Sequence, residues 1–183
     1  MNRRSLGAGF TLIEVLVVLA LVSILMSLAA PSLAAMVNSM RLTVAVNSLF
    51  SSLMLARSEA IKRGARVVVC KSASGTACIT TGGWEQGWIV FHDANNNGKR
   101  DVGEVLLLQQ QALPSSVRLS GNSPFVNYVS YTAIGTTSYV SGAFQAGTLT
   151  ACSESATQGD ARQIVISSAG RPRTVKTSVE HCP

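Results

Sequence analysis

Arg171, Arg173 and Lys176 fall within the short stretch "GRPRTVK" (170–176), with no acid among them, and Arg162 lies just upstream. A guanidinium is a planar fork that can hold two phosphate oxygens at once, and an ammonium adds a compact charge. Pro172 favours an extended local backbone. Successive side chains of an extended chain point opposite ways, so the arginines are expected to splay. In that geometry they would straddle a phosphate backbone or reach two successive phosphates. Aromatic residues for base stacking are sparse nearby, so duplex backbone is the expected target rather than single strands. Three such contacts give a salt slope of about −3. Lys71, Lys99 and Arg118 are further cations whose placement the sequence does not fix. The plain alternative is a solvated basic turn.

A second constellation is "DANNNGKRDVGE" (93–104). Asp93, Asn95, Asn97, Asp101 and Glu104 occupy positions 1, 3, 5, 9 and 12 of a calcium-loop pattern, with Gly98 at its turn. Strand-like segments flank it instead of helices, and Lys99 and Arg100 oppose a cation. The expected reading is therefore a polar hairpin tip with no metal. Zinc is disfavoured because C-x2-C spacing is missing and the histidines are only His92 and His181. Ser and Thr are abundant, but no G-x-S-x-G, P-loop or dinucleotide motif occurs. Neither an enzyme nor a cofactor is expected.

These residues need elements to hold them. The chain has 183 residues, enough for one domain and an appendage, and 47% are hydrophobic. Charged residues are 13%, and the net charge is +6, or +4 without Arg3 and Arg4, so the location of the cations matters more than their number. Residues 1–9 are short and basic, and an apolar run follows from Phe10 to about Ala30. That run is about 20 residues, or ~30 Å of helix, the thickness of one bilayer core. Arg3 and Arg4 favour a cytoplasmic N-terminus. "SLAAPSLAA" offers a conventional secretory cleavage site, but an acid at Glu14 is foreign to such signals, and the helical pattern continues past Pro31. Leu42, Val46, Leu49, Phe50, Leu53, Ala60 and Ile61 then recur at three- and four-residue steps. Lys62, Arg63 and Gly64 close a helix predicted over 10–63, loosened or kinked at Pro31.

Beyond residue 64, segments at 65–70, 87–93, 104–110, 116–120, 128–133, 147–152 and 162–168 read as strands between Gly, Asn, Ser and Pro clusters. The expected class is α+β, a long helix followed by an antiparallel head of one or two sheets at 64–183. Cys70, Cys78, Cys152 and Cys182 all follow the apolar run, an even count that suggests disulfides in an oxidising compartment. Three connectivities are possible. Cys70–Cys78 closing a hairpin, with Cys152–Cys182 fastening the C-terminal tail, is the favoured one.

Gly9 followed by "FTLIE" resembles the class III signal of type IV pilins and type II secretion pseudopilins. The resemblance implies cleavage after Gly9 by a prepilin peptidase, removal of leader 1–9 and methylation of Phe10. It also implies a pilin fold and packing with other pilins through the N-terminal helix, which spans the membrane over about 10–30. Glu14 matches the family's acid, and an intramembrane carboxylate needs a partner such as the freed amine of a neighbouring Phe10. "GWIVFHDANNNGKRDVGEVLL", "GTLTAC" and "RQIVISSAGRPR" are similar to the GspH/FimT branch of minor pilins, with 120–146 matching least. FimT-like minor pilins bind DNA through a Gly-Arg-x-Arg motif, which Gly170, Arg171, Pro172 and Arg173 match, with Lys176 and Arg162 as supporting cations. The implied role is a minor pilin that binds extracellular double-stranded DNA for uptake in transformation. It would sit in the inner membrane with a periplasmic head before reaching the cell surface in the pilus. A structural pilin that primes or caps the filament, or a GspH-like secretion pseudopilin, shares the same N-terminus.

Overall fold

The structure, a computed structural model, describes residues 10–153 and 159–182, so Gly9 and its cleavage site lie outside the described residues. The chain divides into two units, one ending at Val37 and one starting at Asn38. In the first, the described residues from Leu12 onward belong to helix α1 (Leu12–Arg63), whose assignment continues unbroken across residue 31 into the second unit. Its start is a capping box. Thr11 N and Oγ1 each donate to Glu14 Oε2 at 2.8 Å, and Glu14 N donates back to Thr11 Oγ1 at 3.3 Å. The described side chains of residues 12–36 are exposed within the molecule, and they are overwhelmingly apolar. By length and composition the segment suffices to cross a membrane.

The second unit is organised around the rest of α1. Leu42, Ala45, Val46, Leu49, Leu53, Ala56 and Ala60 form its buried stripe. Ile61, which the periodicity places inside, is 51% exposed, and Phe50 is half-buried. The helix ends at Gly64, with Ala65 N returning to Ala60 O at 3.2 Å.

Two four-stranded antiparallel sheets receive the stripe. One has the order β3-β2-β1-β5, from β1 (Val67–Lys71), β2 (Trp88–His92), β3 (Leu106–Gln110) and β5 (Tyr128–Tyr131). The other has the order β4-β6-β7-β8, from β4 (Val117–Gly121), β6 (Gly147–Ser153), β7 (Gly159–Ile166) and β8 (Pro172–Val179). Alternation decides which side chains meet α1. Val67, Val69, Trp88, Val90, Val129 and Tyr131 from the first sheet join Val117, Leu119, Leu149, Ala151, Ile164 and Ile166 from the second in one core. Val68, Cys70, Ile89 and Phe91 take the opposite face of the first sheet, with Cys78, Leu106 and Tyr128 packed against them. Trp88 Nε1 donates to Ser52 Oγ at 2.9 Å, so the helix and sheet are joined by a buried polar contact as well as by packing.

The fold is the expected α+β arrangement, with two sheets. One element differs from expectation. Residues 172–179, read as an extended basic tail, form a full strand, β8, at the edge of the second sheet. Its apolar content is low, so backbone pairing with β7 defines it more than burial does. Cys70 is bridged to Cys78 and Cys152 to Cys182, the connectivity favoured among the three.

Candidate nucleic-acid interface

Strands β7 and β8 pair antiparallel from Gly159↔Val179 to Ile166↔Pro172, and the basic segment starts at the end of the turn between them and runs into β8. Gly170 N donates to Ser167 O at 2.8 Å, closing a turn over Ser167–Gly170. Gly170 has φ +74°, and a Cβ built there would overlap the Gly135 carbonyl oxygen. Both the conformation and the close approach therefore require glycine. Thr137 pins the same turn from the neighbouring loop, its N donating to Ser168 O at 3.3 Å and its Oγ1 to Ser167 O at 3.2 Å. Pro172 opens β8, a position that a proline tolerates on an edge strand.

Arg171 and Arg173 are exposed, and neither has a hydrogen-bond or ion-pair partner among the described residues. The expected splay needs correction. Two residues apart, the arginines would share a face in a regular strand. Arg171 precedes β8, so only Arg173 has its face fixed by the ladder. Arg173 lies opposite Val165, while Lys176 lies opposite Arg162 and Thr174 opposite Ile164. Arg162 thus shares the parity of the buried Ile164 and Ile166, and its Nη2 donates to Ser39 Oγ at 3.1 Å. Lys176 is exposed on that same face. The register consequently separates Arg162 and Lys176 from Arg173 across the sheet. The Cys152–Cys182 bridge ties the chain just beyond β8 to β6, anchoring the far end of this edge strand.

The other cations have local work. Lys71 is buried, with Nζ donating to Gly82 O at 2.6 Å and Thr80 O at 3.4 Å, and burial lowers its pKa. Arg118 pairs with Glu85 at 3.5 Å. Arg100 donates to Thr76 O at 2.6 Å and Glu104 O at 3.3 Å. Lys99 is exposed in the β2–β3 connection.

In that connection the candidate metal ligands bind their own loop. Asp93 is buried, its Oδ1 accepting from Asn97 N at 3.0 Å and its Oδ2 from Gly98 N at 2.9 Å. Burial raises its pKa in spite of those two bonds. Asp101 Oδ2 accepts from Asn95 Nδ2 at 2.7 Å and Asn97 Nδ2 at 2.6 Å, which lowers its pKa. Glu104 accepts from Ala94 N at 2.8 Å and Asp101 N at 3.0 Å. The arrangement is that of a self-capped hairpin tip.

Sequence spacing missed the loop Thr132–Thr137. It packs against the basic turn from 35 positions upstream, and no residue type in "TAIGTT" announces that contact.

Residues 45–170, more than half of the chain, match the family model described as "Type II transport protein GspH". Residues 4–30 match the "Prokaryotic N-terminal methylation motif". The GspH match ends at Gly170, so Arg171 and Arg173 lie just beyond it. A pilin-like protein, PilA1 of Thermus thermophilus, is 38% identical over 96 residues, covering 52% of this chain and 54% of that protein. The match thus spans about half the length of that relative. Among solved structures, the type IV minor pilin FimU of Pseudomonas aeruginosa is similar, with a TM-score of 0.53 at 22% identity, over 72% of this chain and 86% of that one. The minor pseudopilin EpsH from the type 2 secretion system of Vibrio cholerae gives 0.51 at 13% identity, over 74% and 96%. These two likenesses establish the fold.

Proposed function

Since the chain belongs to the GspH family and carries a prokaryotic N-terminal methylation motif, we propose that it is a minor pilin that binds extracellular double-stranded DNA for uptake in natural transformation. A prepilin peptidase cuts after Gly9 and methylates Phe10. The head faces the periplasm while α1 sits in the inner membrane. Assembly then brings the N-terminal helix, with Glu14 beside a neighbour's Phe10 amine, into contact with other pilins and carries the head to the cell surface.

The observation that carries the DNA reading is the pair Arg171 and Arg173, exposed and without partners among the described residues, one just after the turn that Thr137 pins and the other in the first residues of β8. Cations engaged by carboxylates must break those contacts before they bind phosphate, whereas these two need not. A braced turn also loses little freedom on binding. Arg162 and Lys176 stand across the sheet from Arg173, so the two arginines supply the main contacts here. These two contacts contribute about −2 to the salt slope, and affinity is modest and indifferent to sequence.

A pseudopilin of type II secretion is the competing reading, favoured by the family's own description. Duplex DNA titration of the detergent-solubilised full chain at low salt separates the two. Binding that disappears in Arg171→Gln/Arg173→Gln supports the pilin reading, and no binding by the wild type supports the other.

A further inference from the structure

We infer that Arg57 of α1 supplies an additional phosphate contact, on a surface continuous with Arg171 through the loop Thr132–Thr137. This rests on the DNA reading of Arg171 and Arg173. Arg57 Nε donates to the Gly135 carbonyl oxygen at 3.0 Å. That same oxygen occupies the space where a Cβ on Gly170 would stand. One atom therefore touches both the helix arginine and the turn that presents Arg171. Gly135 has φ +78°, and a Cβ there would crowd Ile61 Cδ1 and Arg57 Nε. The helix, the loop and the turn thus meet at two residues that lack side chains. With the two Thr137 bonds to Ser167 and Ser168, they form one braced surface.

Arg57 is half-buried beside that loop. Its Nε is engaged by Gly135, but its terminal nitrogens have no hydrogen-bond partner among the described residues. Glu59, two positions along, is held by Arg63 at 2.7 Å and Lys62 at 3.6 Å, so its charge is already shared. Tyr131 is the buried ionisable neighbour, and burial raises its phenol pKa far above the ordinary value, so it brings no counter-charge at neutral pH. A guanidinium fixed through Nε keeps its terminal nitrogens for phosphate oxygens, with less side-chain freedom to lose on binding. At the tip of the loop, Ile134 is 77% exposed, which leaves it available as a probe of the same surface.

The test is a salt series of duplex DNA titrations with the detergent-solubilised full chain. Three phosphate contacts give a slope near −3 for the wild type, and Arg57→Gln brings it to about −2. Arg57→Lys, which keeps the charge, retains the steeper slope. An unchanged slope in Arg57→Gln overturns the inference, because Arg57 then only positions the loop. If Arg57→Gln folds poorly, Ile134→Glu against Ile134→Gln reads the same surface. The glutamate is expected to weaken binding several-fold by repelling phosphate, and equal affinities overturn the inference. Absence of wild-type binding, or binding undiminished in Arg171→Gln/Arg173→Gln, defeats the DNA reading and this inference with it. A slope that depends on Arg171 and Arg173 but not on Arg57 defeats this inference alone.

Discussion

Gly170 carries no charge, yet the placement of the basic segment depends on it. Its positive φ reverses the chain before Pro172, and its missing Cβ lets the Gly135 carbonyl approach. Gly170→Ala forces both strain and overlap, which together are expected to cost about 1–3 kcal/mol. Thermal melting should show a lowered Tm, and DNA affinity should fall although every cation remains. An unchanged Tm would mean that the turn is not braced as described. The pKa values of Asp93 and Asp101 are displaced in opposite directions. Burial holds the Asp93 pKa up, whereas amide hydrogen bonds hold the Asp101 pKa down. On acidification Asp93 protonates first, as carboxyl carbon NMR titration will show. The linkage signs are opposite. A raised folded pKa means the folded chain binds protons more tightly, so the Asp93 contribution declines as pH rises through its window. The Asp101 contribution is present above the unfolded value and declines as pH falls through the folded one. Because the loop oxygens are occupied by loop donors, melting with excess calcium and with excess EDTA should give the same Tm. A calcium-dependent rise would show that the hairpin tip opens to bind a cation.

Strand β8 marks where the sequence stops being legible at the scale of elements. The long helix is readable because its buried stripe recurs at three- and four-residue steps and Gly64 ends it. Strands such as β1 and β2 are readable because apolar, β-branched runs lie between turn residues. In "PRTVKTSV" there is no apolar face to detect, since an edge strand gains its order from a neighbour's backbone. Arg162 is different, because parity with Ile164 and Ile166 already places it on the inner face. The contact of Gly135 with Gly170 joins loops far apart in sequence and follows only from the completed topology. Removing the Cys152–Cys182 bridge, with its separation of 30 residues, is expected to cost roughly 3–4 kcal/mol in the chain-entropy view. Hydrogen exchange in Cys152→Ala/Cys182→Ala should quicken first at the β8 amides nearest Val179. Uniform protection along β8 would show that pairing with β7 alone holds the strand. In the helix, Leu49→Ala removes a fully buried side chain of the core that the helix and the sheets share and should destabilise the head by about 2–5 kcal/mol.

The whole molecule combines two surfaces of unlike character. The N-terminal part of α1 exposes apolar side chains that need lipid or other helices around them, while the head gathers an apolar core between its helix and sheets and leaves Arg171 and Arg173 exposed. In the proposed function the first part serves anchoring and assembly, and the second offers its arginines to DNA. Family membership accounts for the first part and the head's fold, and the arginines fall just past the GspH match. The proposed DNA binding therefore depends on them, and the most direct measurement is duplex DNA affinity at low salt for the full chain and for Arg171→Gln/Arg173→Gln. Measurable, salt-sensitive binding is expected of the wild type, and the double substitution is expected to abolish it while Tm is preserved. Equal binding by the two proteins, or none by either, would contradict it.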